Sequence, residues 1–126
     1  MENSDIGRKG EDVACLYLEK RGHTIVDRNF KVKAGEIDVV SRKGQTLFFV
    51  EVKTTAHAQE YYEMHQKPEE NVHTSKMRKL SRAIQIYLLD KHRGKEVDWK
   101  FWVIAITLDM DRKRAFVKVI PETIMA

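Results

Sequence analysis

Two stretches of the chain place apolar residues three or four positions apart, the spacing of an amphipathic helix. The spacing predicts a first helix over residues 5–21, capped by Ser4 or Asp5 and ended by Gly22. A second helix is predicted to begin near Ser75 and to end within residues 91–94. Its apolar stripe consists of Met77, Leu80, Ala83, Ile84, Tyr87 and Leu88.

The apolar segments between and after these helices have the pattern of strands. Strands are predicted over residues 24–32 (with a bend at 27–29), 35–41, 46–53, 99–108 and 115–120. The run 99–108 is apolar throughout and predicts a central strand buried on both faces. The order α-β-β-β-α-β-β indicates an α/β fold, a mixed sheet of four to five strands flanked by helices. We expect one domain over residues 1–126, with a long mobile loop at 54–74 and a tail at 121–126.

Composition narrows the class of protein. The chain is 42% hydrophobic and 33% charged, which excludes a disordered polymer. No run of about 18 uncharged apolar residues could span a membrane, and the charged N-terminus is unlike a signal peptide. A single cysteine, Cys15, excludes an internal disulfide framework, and His57, His65 and His73 are too far apart to favour zinc over solvated loop positions. These features predict a soluble cytoplasmic protein.

Positive charge concentrates in the second half of the chain. Residues 64–126 carry 13 basic and 8 acidic side chains, and within 76–95 seven basic side chains accompany only Asp90. A basic helix of this kind is typical of a nucleic-acid contact, although a simply solvated helix face gives the same pattern. The candidate contacts are Lys76, Arg78, Lys79 and Arg82.

Carboxylates occupy unexpected places on the predicted elements. Glu11 lies in an apolar row of the first helix, where an unpaired charge would be costly. If the hairpin closes on Lys43-Gly44, Asp38 opposes Phe49, and Asp38 and Glu51 become diagonal neighbours on one face. Two such carboxylates repel each other unless a cation lies between them, and the candidates are Lys53 and a divalent metal ion.

Carboxylate oxygens suit Mg²⁺ or Mn²⁺, and Mg²⁺ commonly takes one or two carboxylates and keeps several waters. Such an ion activates a water for attack on a phosphodiester, and the Lys53 ammonium would stabilise the transition state. This pattern predicts a metal-dependent phosphodiesterase.

Three short motifs carry a resemblance to a known family. They are Gly7-x-x-Gly10-Glu11-x-x-Ala14, Gly35-Glu36-Ile37-Asp38 and Phe49-Val50-Glu51-Val52-Lys53. They resemble the signatures of the YraN-like family of small bacterial proteins, assigned to the restriction-endonuclease-like (PD-(D/E)xK) superfamily. The arrangement is also similar to archaeal Holliday junction resolvases.

The resemblance implies a Mg²⁺-dependent (or Mn²⁺-dependent) DNA endonuclease with Glu11, Asp38, Glu51 and Lys53 as catalytic residues. Asp38, Glu51 and Glu11 would be the metal ligands. Branched or otherwise structured DNA is the expected partner, and a resolvase-like role favours a homodimer. Two positions depart from the pattern: Ile37 stands where the superfamily has Pro, and Thr54 where relatives often carry a basic residue.

Two other functions stay open on the sequence. A non-catalytic nucleic-acid-binding module could carry Glu51 and Lys53 as a surface ion pair. A small interaction protein could instead use its basic helix to bind an acidic protein partner.

Overall fold

The structure is a computed structural model that describes residues 3–56, 74–93 and 95–122. Within these residues the chain forms two helices and five strands in the predicted order α-β-β-β-α-β-β, so the α/β prediction is confirmed. The elements are α1 (Asn3–Lys20), β1 (Thr24–Val32), β2 (Gly35–Lys43), β3 (Thr46–Ala56), α2 (Thr74–His92), β4 (Asp98–Asp109) and β5 (Arg114–Glu122).

The five strands form one mixed sheet in the spatial order β1-β2-β3-β4-β5. Tight connections make the β1–β2, β2–β3 and β4–β5 pairs antiparallel. β3 and β4 run parallel, because the segment between them contains α2 and returns the chain to the same end of the sheet.

The sheet is buried on both faces because one helix packs on each. On the α2 face, Leu47 and Phe49 of β3 pack with Leu80, Ile84 and Tyr87. On the α1 face, Phe48 and Val50 pack with Ala14, Cys15 and Leu18. Successive side chains of β3 therefore alternate between two separate hydrophobic cores, one on each face of the sheet. The apolar run of β4 does the same, with Trp99 on the α2 face and Trp102 on the α1 face.

The predicted register of the β2–β3 hairpin is wrong by two residues. Lys43 pairs with Thr46, so the turn is Gly44-Gln45 rather than Lys43-Gly44. Gly44 adopts a φ of 61°, the left-handed conformation that a two-residue hairpin turn requires. Because side chains alternate with a period of two, an even shift does not move the paired residues to the opposite face.

Several element boundaries extend beyond their predicted ends. β3 continues to Ala56, so the first three residues of the predicted loop 54–74 are strand, and the predicted mobile segment 57–73 with its histidines lies outside the described residues. β5 continues through Pro121 to Glu122, where a tail was predicted. β1 is one strand, with its bend formed by a register shift between Ile25 and Asp27 and by Asn29 at a φ of 54°.

Close contact between α1 and β3 depends on Gly10. A Cβ atom at this position would lie 1.9 Å from Oγ1 and 2.8 Å from Cβ of Thr54. No side chain larger than hydrogen therefore fits at this crossing unless the helix moves away from the sheet. Gly7, one turn earlier on the same helix, would meet nothing within 4 Å.

We expect Gly10→Ala to lower the free energy of unfolding by about 1–3 kcal/mol, the usual cost of overpacking a tight contact. Gly7→Ala is the matched control, and it should leave stability unchanged or raise it by about 0.5–1 kcal/mol, because alanine favours the helix. Adding Thr54→Ala to Gly10→Ala should restore part of the lost free energy of unfolding, because it removes Oγ1, the atom that the new Cβ would approach most closely. Urea unfolding followed by circular dichroism measures all three, and equal stability of the two glycine variants would contradict the proposed contact.

Candidate functional site

The site lies where β2 and β3 separate. Their paired residues end at Val39 and Val50, and the next residues along the two strands are Asp38 and Glu51. Alternation along β2 also breaks here. In a regular strand, residues two apart share a face, but Ile37 packs on the α2 face and Val39 packs on the α1 face. In place of a strand-to-strand bond, the backbone N–H of Val52 donates to Oδ2 of Asp38 at 2.8 Å. Asp38 thereby ends the hairpin pairing and is held beside Glu51.

The carboxyl group of Asp38 is hard to ionise in this position. Burial raises its pKa from 3.8 to about 7, and the negative charge of Glu51 adds to the increase. The Val52 N–H favours ionisation but does not outweigh these two effects. Asp38 is therefore a carboxyl group whose charge is costly unless a cation comes near.

Glu51 already has a cation. Its side chain is only 9% exposed, and its Oε1 lies 3.0 Å from Nζ of Lys76 at the start of α2. Lys53 lies on the same face of β3 and shares a hydrogen bond with Lys76. Burial and the neighbouring Lys76 together lower the pKa of Lys53. Burial also opposes the charge of Lys76, but its bonds to Lys53 and Glu51 outweigh this effect and raise its pKa. Of the two lysines, Lys76 thus holds its proton more tightly.

A cavity of about 160 Å³ opens beside the two carboxylates. Its walls carry Glu36, Asp38 and Glu51 from the sheet and Lys76, Lys79 and Leu80 from α2. Gly35 forms the remaining wall, and a Cβ there would lie 2.9 Å from the carbonyl oxygen of Lys79. The glycine therefore lets the start of β2 lie directly against α2, which brings the lysines of the helix over the carboxylates.

The predicted basic helix divides into two sets of side chains. Lys76 and Lys79 continue the row of Leu80, Ala83 and Ile84 that packs on the sheet, so they reach the cavity. Arg78 and Arg82 are exposed on the outer side of the helix. The four residues predicted to bind nucleic acid therefore occupy two different environments.

Glu11 stands apart from this cavity. Its Oε1 lies 3.7 Å from Nη2 of Arg28, which also bonds to Asp12 at 2.9 Å. The charge of Glu11 still contributes to the raised pKa of Asp38. The structure thus brings Asp38, Glu51 and Lys53 together and places Glu11 nearby with an arginine partner. Its role as a metal ligand stays a prediction.

The donor set fits a hard divalent cation that brings most of its own ligands. Within the described residues, no three carboxylate, imidazole or thiol groups cluster closely enough to hold a metal ion by themselves. Asp38 and Glu51 each use one oxygen in a hydrogen bond or ion pair and keep a second oxygen for other ligands. Mg²⁺ commonly binds through one or two carboxylates plus waters or phosphate. Burial and the charge of Glu51 both raise the pKa of Asp38, so a nearby cation would favour its ionised form.

Sequence reasoning missed the parts of the site that depend on long-range packing. Lys76 was predicted as a nucleic-acid contact, and nothing local marked it as the partner of Glu51, 25 positions earlier in the chain. Glu36 and Lys79 were likewise not assigned to the cavity. Gly35 within the motif was the available signal, since a glycine in a strand can mark the close approach of another backbone.

Over the residues that the structure describes, the fold and the cavity define an α/β protein with a carboxylate–lysine site at the end of a β-hairpin. The chain belongs to the family described as Uncharacterised protein family UPF0102, whose model matches residues 10–106. This is the YraN-like family that the motifs resemble, and the matched range contains every residue of the cavity. No helix among the described residues is long and apolar enough to cross a membrane.

Relatives from several bacteria match most of the chain. A UPF0102 protein of Clostridium kluyveri is 39% identical over 104 residues, which cover 82% of this chain and 80% of the relative. The Geobacter sulfurreducens relative is 42% identical over 106 residues, covering 84% and 78%. The Chloroherpeton thalassium relative is 39% identical over 114 residues, covering 90% and 84%.

We expect the Asp38 carboxyl to make the protein less stable as the pH rises from about 4 to about 7. Between the unfolded pKa of 3.8 and the folded pKa of about 7, the native state holds a proton that the unfolded chain has lost. Asp38→Asn removes this titration, so its stability relative to wild type should increase by about 2–4 kcal/mol between about pH 4.5 and about pH 8. Urea unfolding of both proteins without divalent ions measures the difference, and parallel pH profiles would contradict the raised pKa.

Proposed function

We propose that this protein is a Mg²⁺-dependent DNA endonuclease that hydrolyses phosphodiester bonds at the cavity beside Asp38 and Glu51. The observation that carries the proposal is the pair of adjacent carboxylates, Asp38 and Glu51, beside one small cavity. Lys76 lines that cavity, and Lys53 shares a hydrogen bond with Lys76 on the same face of β3. The exposed Arg78 and Arg82 on the outer side of α2 support a polyanionic partner. The likeness to the restriction-endonuclease-like superfamily and to resolvases, with branched DNA as substrate and a homodimer as the working form, belongs to the same proposal.

In this mechanism Asp38 and Glu51 would hold the ion and orient it toward the cavity. When bound, Mg²⁺ supplies a positive charge that polarises the phosphodiester and lowers the pKa of a bound water. The oxygen of an attacking water would form a new bond to phosphorus as the water gives up a proton. The bond to the leaving ester oxygen would break, and that oxygen would take up a proton. No oxidant or further reactant is needed.

Lys53 is the residue that we assign to the reacting phosphate. Its ammonium would donate a hydrogen bond to a phosphate oxygen as negative charge builds up in the transition state. Its pKa is lowered by burial and by Lys76, so it gives up a proton more readily than an ordinary lysine. That property suits a group that exchanges protons with the attacking water or the leaving oxygen.

A second function is favoured by one specific observation. The Lys76 ammonium lies 3.0 Å from Glu51 and already provides the cation that the carboxylates need. If this ion pair is permanent, the chain is a nucleic-acid-binding module on a nuclease-like fold, without metal or cleavage.

We expect Lys53→Ala to reduce single-turnover DNA cleavage by roughly 10²–10³, as for the loss of one transition-state donor. Mn²⁺ binding should survive, because both carboxylates remain. Linear, flapped and four-way DNA substrates in Mg²⁺ and in Mn²⁺ provide the assay, with Lys95→Ala as the control because Lys95 lies outside the cavity. Equal rates for wild type and Lys53→Ala would remove Lys53 from the mechanism. The absence of cleavage by wild type on every substrate would favour the binding module.

The Lys76–Glu51 pair should compete with a metal ion. Lys76→Met removes the resident cation, so we expect the metal-free protein to lose about 1–2 kcal/mol of stability while its affinity for Mn²⁺ rises. Lys79→Met is the matched control, since Lys79 lines the same cavity without an ion pair to Glu51 among the described contacts. Isothermal titration and thermal unfolding with and without Mn²⁺ give both readouts. If Lys76→Met binds Mn²⁺ no better than Lys79→Met does, Lys76 does not occupy the metal position.

A further inference from the structure

A second cavity, of about 350 Å³, lies on the opposite face of the sheet between α1 and the turn that joins β4 to β5. Two sets of side chains line it. We call Val13, Leu108 and Ala115 the apolar floor, and Lys9, Lys113 and Arg114 the basic rim. Val13 and Leu108 belong to the core on the α1 face, which separates this cavity from the one at Asp38. The proposed mechanism of hydrolysis uses none of these residues.

The turn beside this cavity is held in place by a buried carboxylate. The Asp109 side chain is 1% exposed and accepts hydrogen bonds from the backbone N–H of Arg112 at 3.2 Å and from its Nη1 at 3.1 Å. Nε of Arg114 lies 3.8 Å from the same carboxylate. Burial opposes the charge of Asp109, but the hydrogen bonds from Arg112 outweigh it and lower the pKa. Two arginines thus compensate the negative charge at the edge of the cavity.

The lysines of the rim carry uncompensated charge. Among the contacts of the described residues, neither Lys9 nor Lys113 forms an ion pair. Lys113 has a φ of 53°, so the ordered turn fixes its backbone in a left-handed conformation. The cavity therefore combines a basic rim with an apolar floor, a combination that complements a phosphate attached to a less polar group.

The second cavity lies at the end of the sheet where β4 terminates, and the first lies beside the middle of the same strand. Glu51 of the first cavity pairs with Val103 of β4, and Leu108 of the second cavity is five residues further along that strand. Five strand residues span about 17 Å. A polyanion that passes over this end of the sheet could therefore contact both faces.

We propose that the cavity beside the β4–β5 turn is a second nucleic-acid contact, which binds one backbone phosphate through Lys9, Lys113 and Arg114. The sugar or base attached to that phosphate lies against Val13, Leu108 and Ala115. The inference rests on the proposed function only in taking DNA as the partner, since this contact needs neither metal nor cleavage. It extends the binding surface from the α2 face to the α1 face.

Binding of a fluorescently labelled 24-base-pair duplex, measured in EDTA over a series of salt concentrations, tests this contact. The variant Lys9→Gln/Lys113→Asn keeps the helix and the left-handed turn position while removing both charges. We expect its affinity to fall about tenfold or more and its salt slope to fall by about two. The control is Lys95→Gln, because Lys95 is an exposed lysine near the opposite end of β4. It should change the affinity and the salt slope by no more than about half of the change caused by the double variant.

Equal effects of the double variant and the control would overturn the proposal, and so would the absence of DNA binding by wild type. Thermal unfolding of the double variant should match wild type, which excludes a folding defect as the cause of weaker binding. A position-specific readout comes from Lys113→Cys and DNA carrying a thiol-reactive group on one phosphate. We expect a crosslink with this variant and none with wild type, whose Cys15 is buried. Binding without cleavage in Mg²⁺ would refute the endonuclease and leave this second contact standing.

Discussion

Two carboxylates beside each other on adjacent strands require positive charge, and much of this structure supplies it. The β2–β3 pairing ends at Val39 and Val50, which leaves Asp38 and Glu51 at the point where the strands separate. Lys76 provides the cation from α2, and the resulting ion pair ties the first turn of that helix to the middle of the sheet. Burial, together with the charge of Glu51, raises the pKa of Asp38 even with Lys76 nearby. A further cation at this point would favour the ionised form of Asp38, which is the basis of the proposed metal site.

Glycines determine how closely the helices approach these charges. Gly10 brings α1 against Thr54 of β3, and Gly35 brings the start of β2 against the backbone of α2 at Lys79. Each glycine precedes an acidic residue, Glu11 or Glu36. The close approach at Gly10 accompanies a Glu11 side chain that is only 19% exposed, whereas Glu36 belongs to the sheet itself and is exposed at the cavity.

Features that depend on local pattern were predictable from the sequence. Among the described residues, hydrophobic periodicity located both helices and all five strands. Alternation placed Asp38 and Glu51 on one face even though the predicted pairing register of the hairpin was wrong by two residues. Periodicity could not predict the ends of β3 and β5, because strand ends depend on which neighbour continues the ladder. It also could not predict the Lys76–Glu51 pair, since a charge count describes a helix without giving its rotation. The close approach at Gly10 is likewise a property of two distant segments.

The parallel pairing of β3 with β4 also governs how the chain assembles. β1, β2 and β3 join through short connections, as do β4 and β5, so each group consists of contacts that are local in sequence. The β3–β4 ladder, from Thr46–Asp98 to Ala56–Leu108, joins residues about fifty positions apart, and the entropy cost of closing that loop leads us to expect it to form after the local pairs. Glu51 and Lys53 lie within that ladder, and Lys76 lies in the crossover that it closes. The carboxylate–lysine cavity is therefore completed late, in the same step that joins the two halves of the sheet.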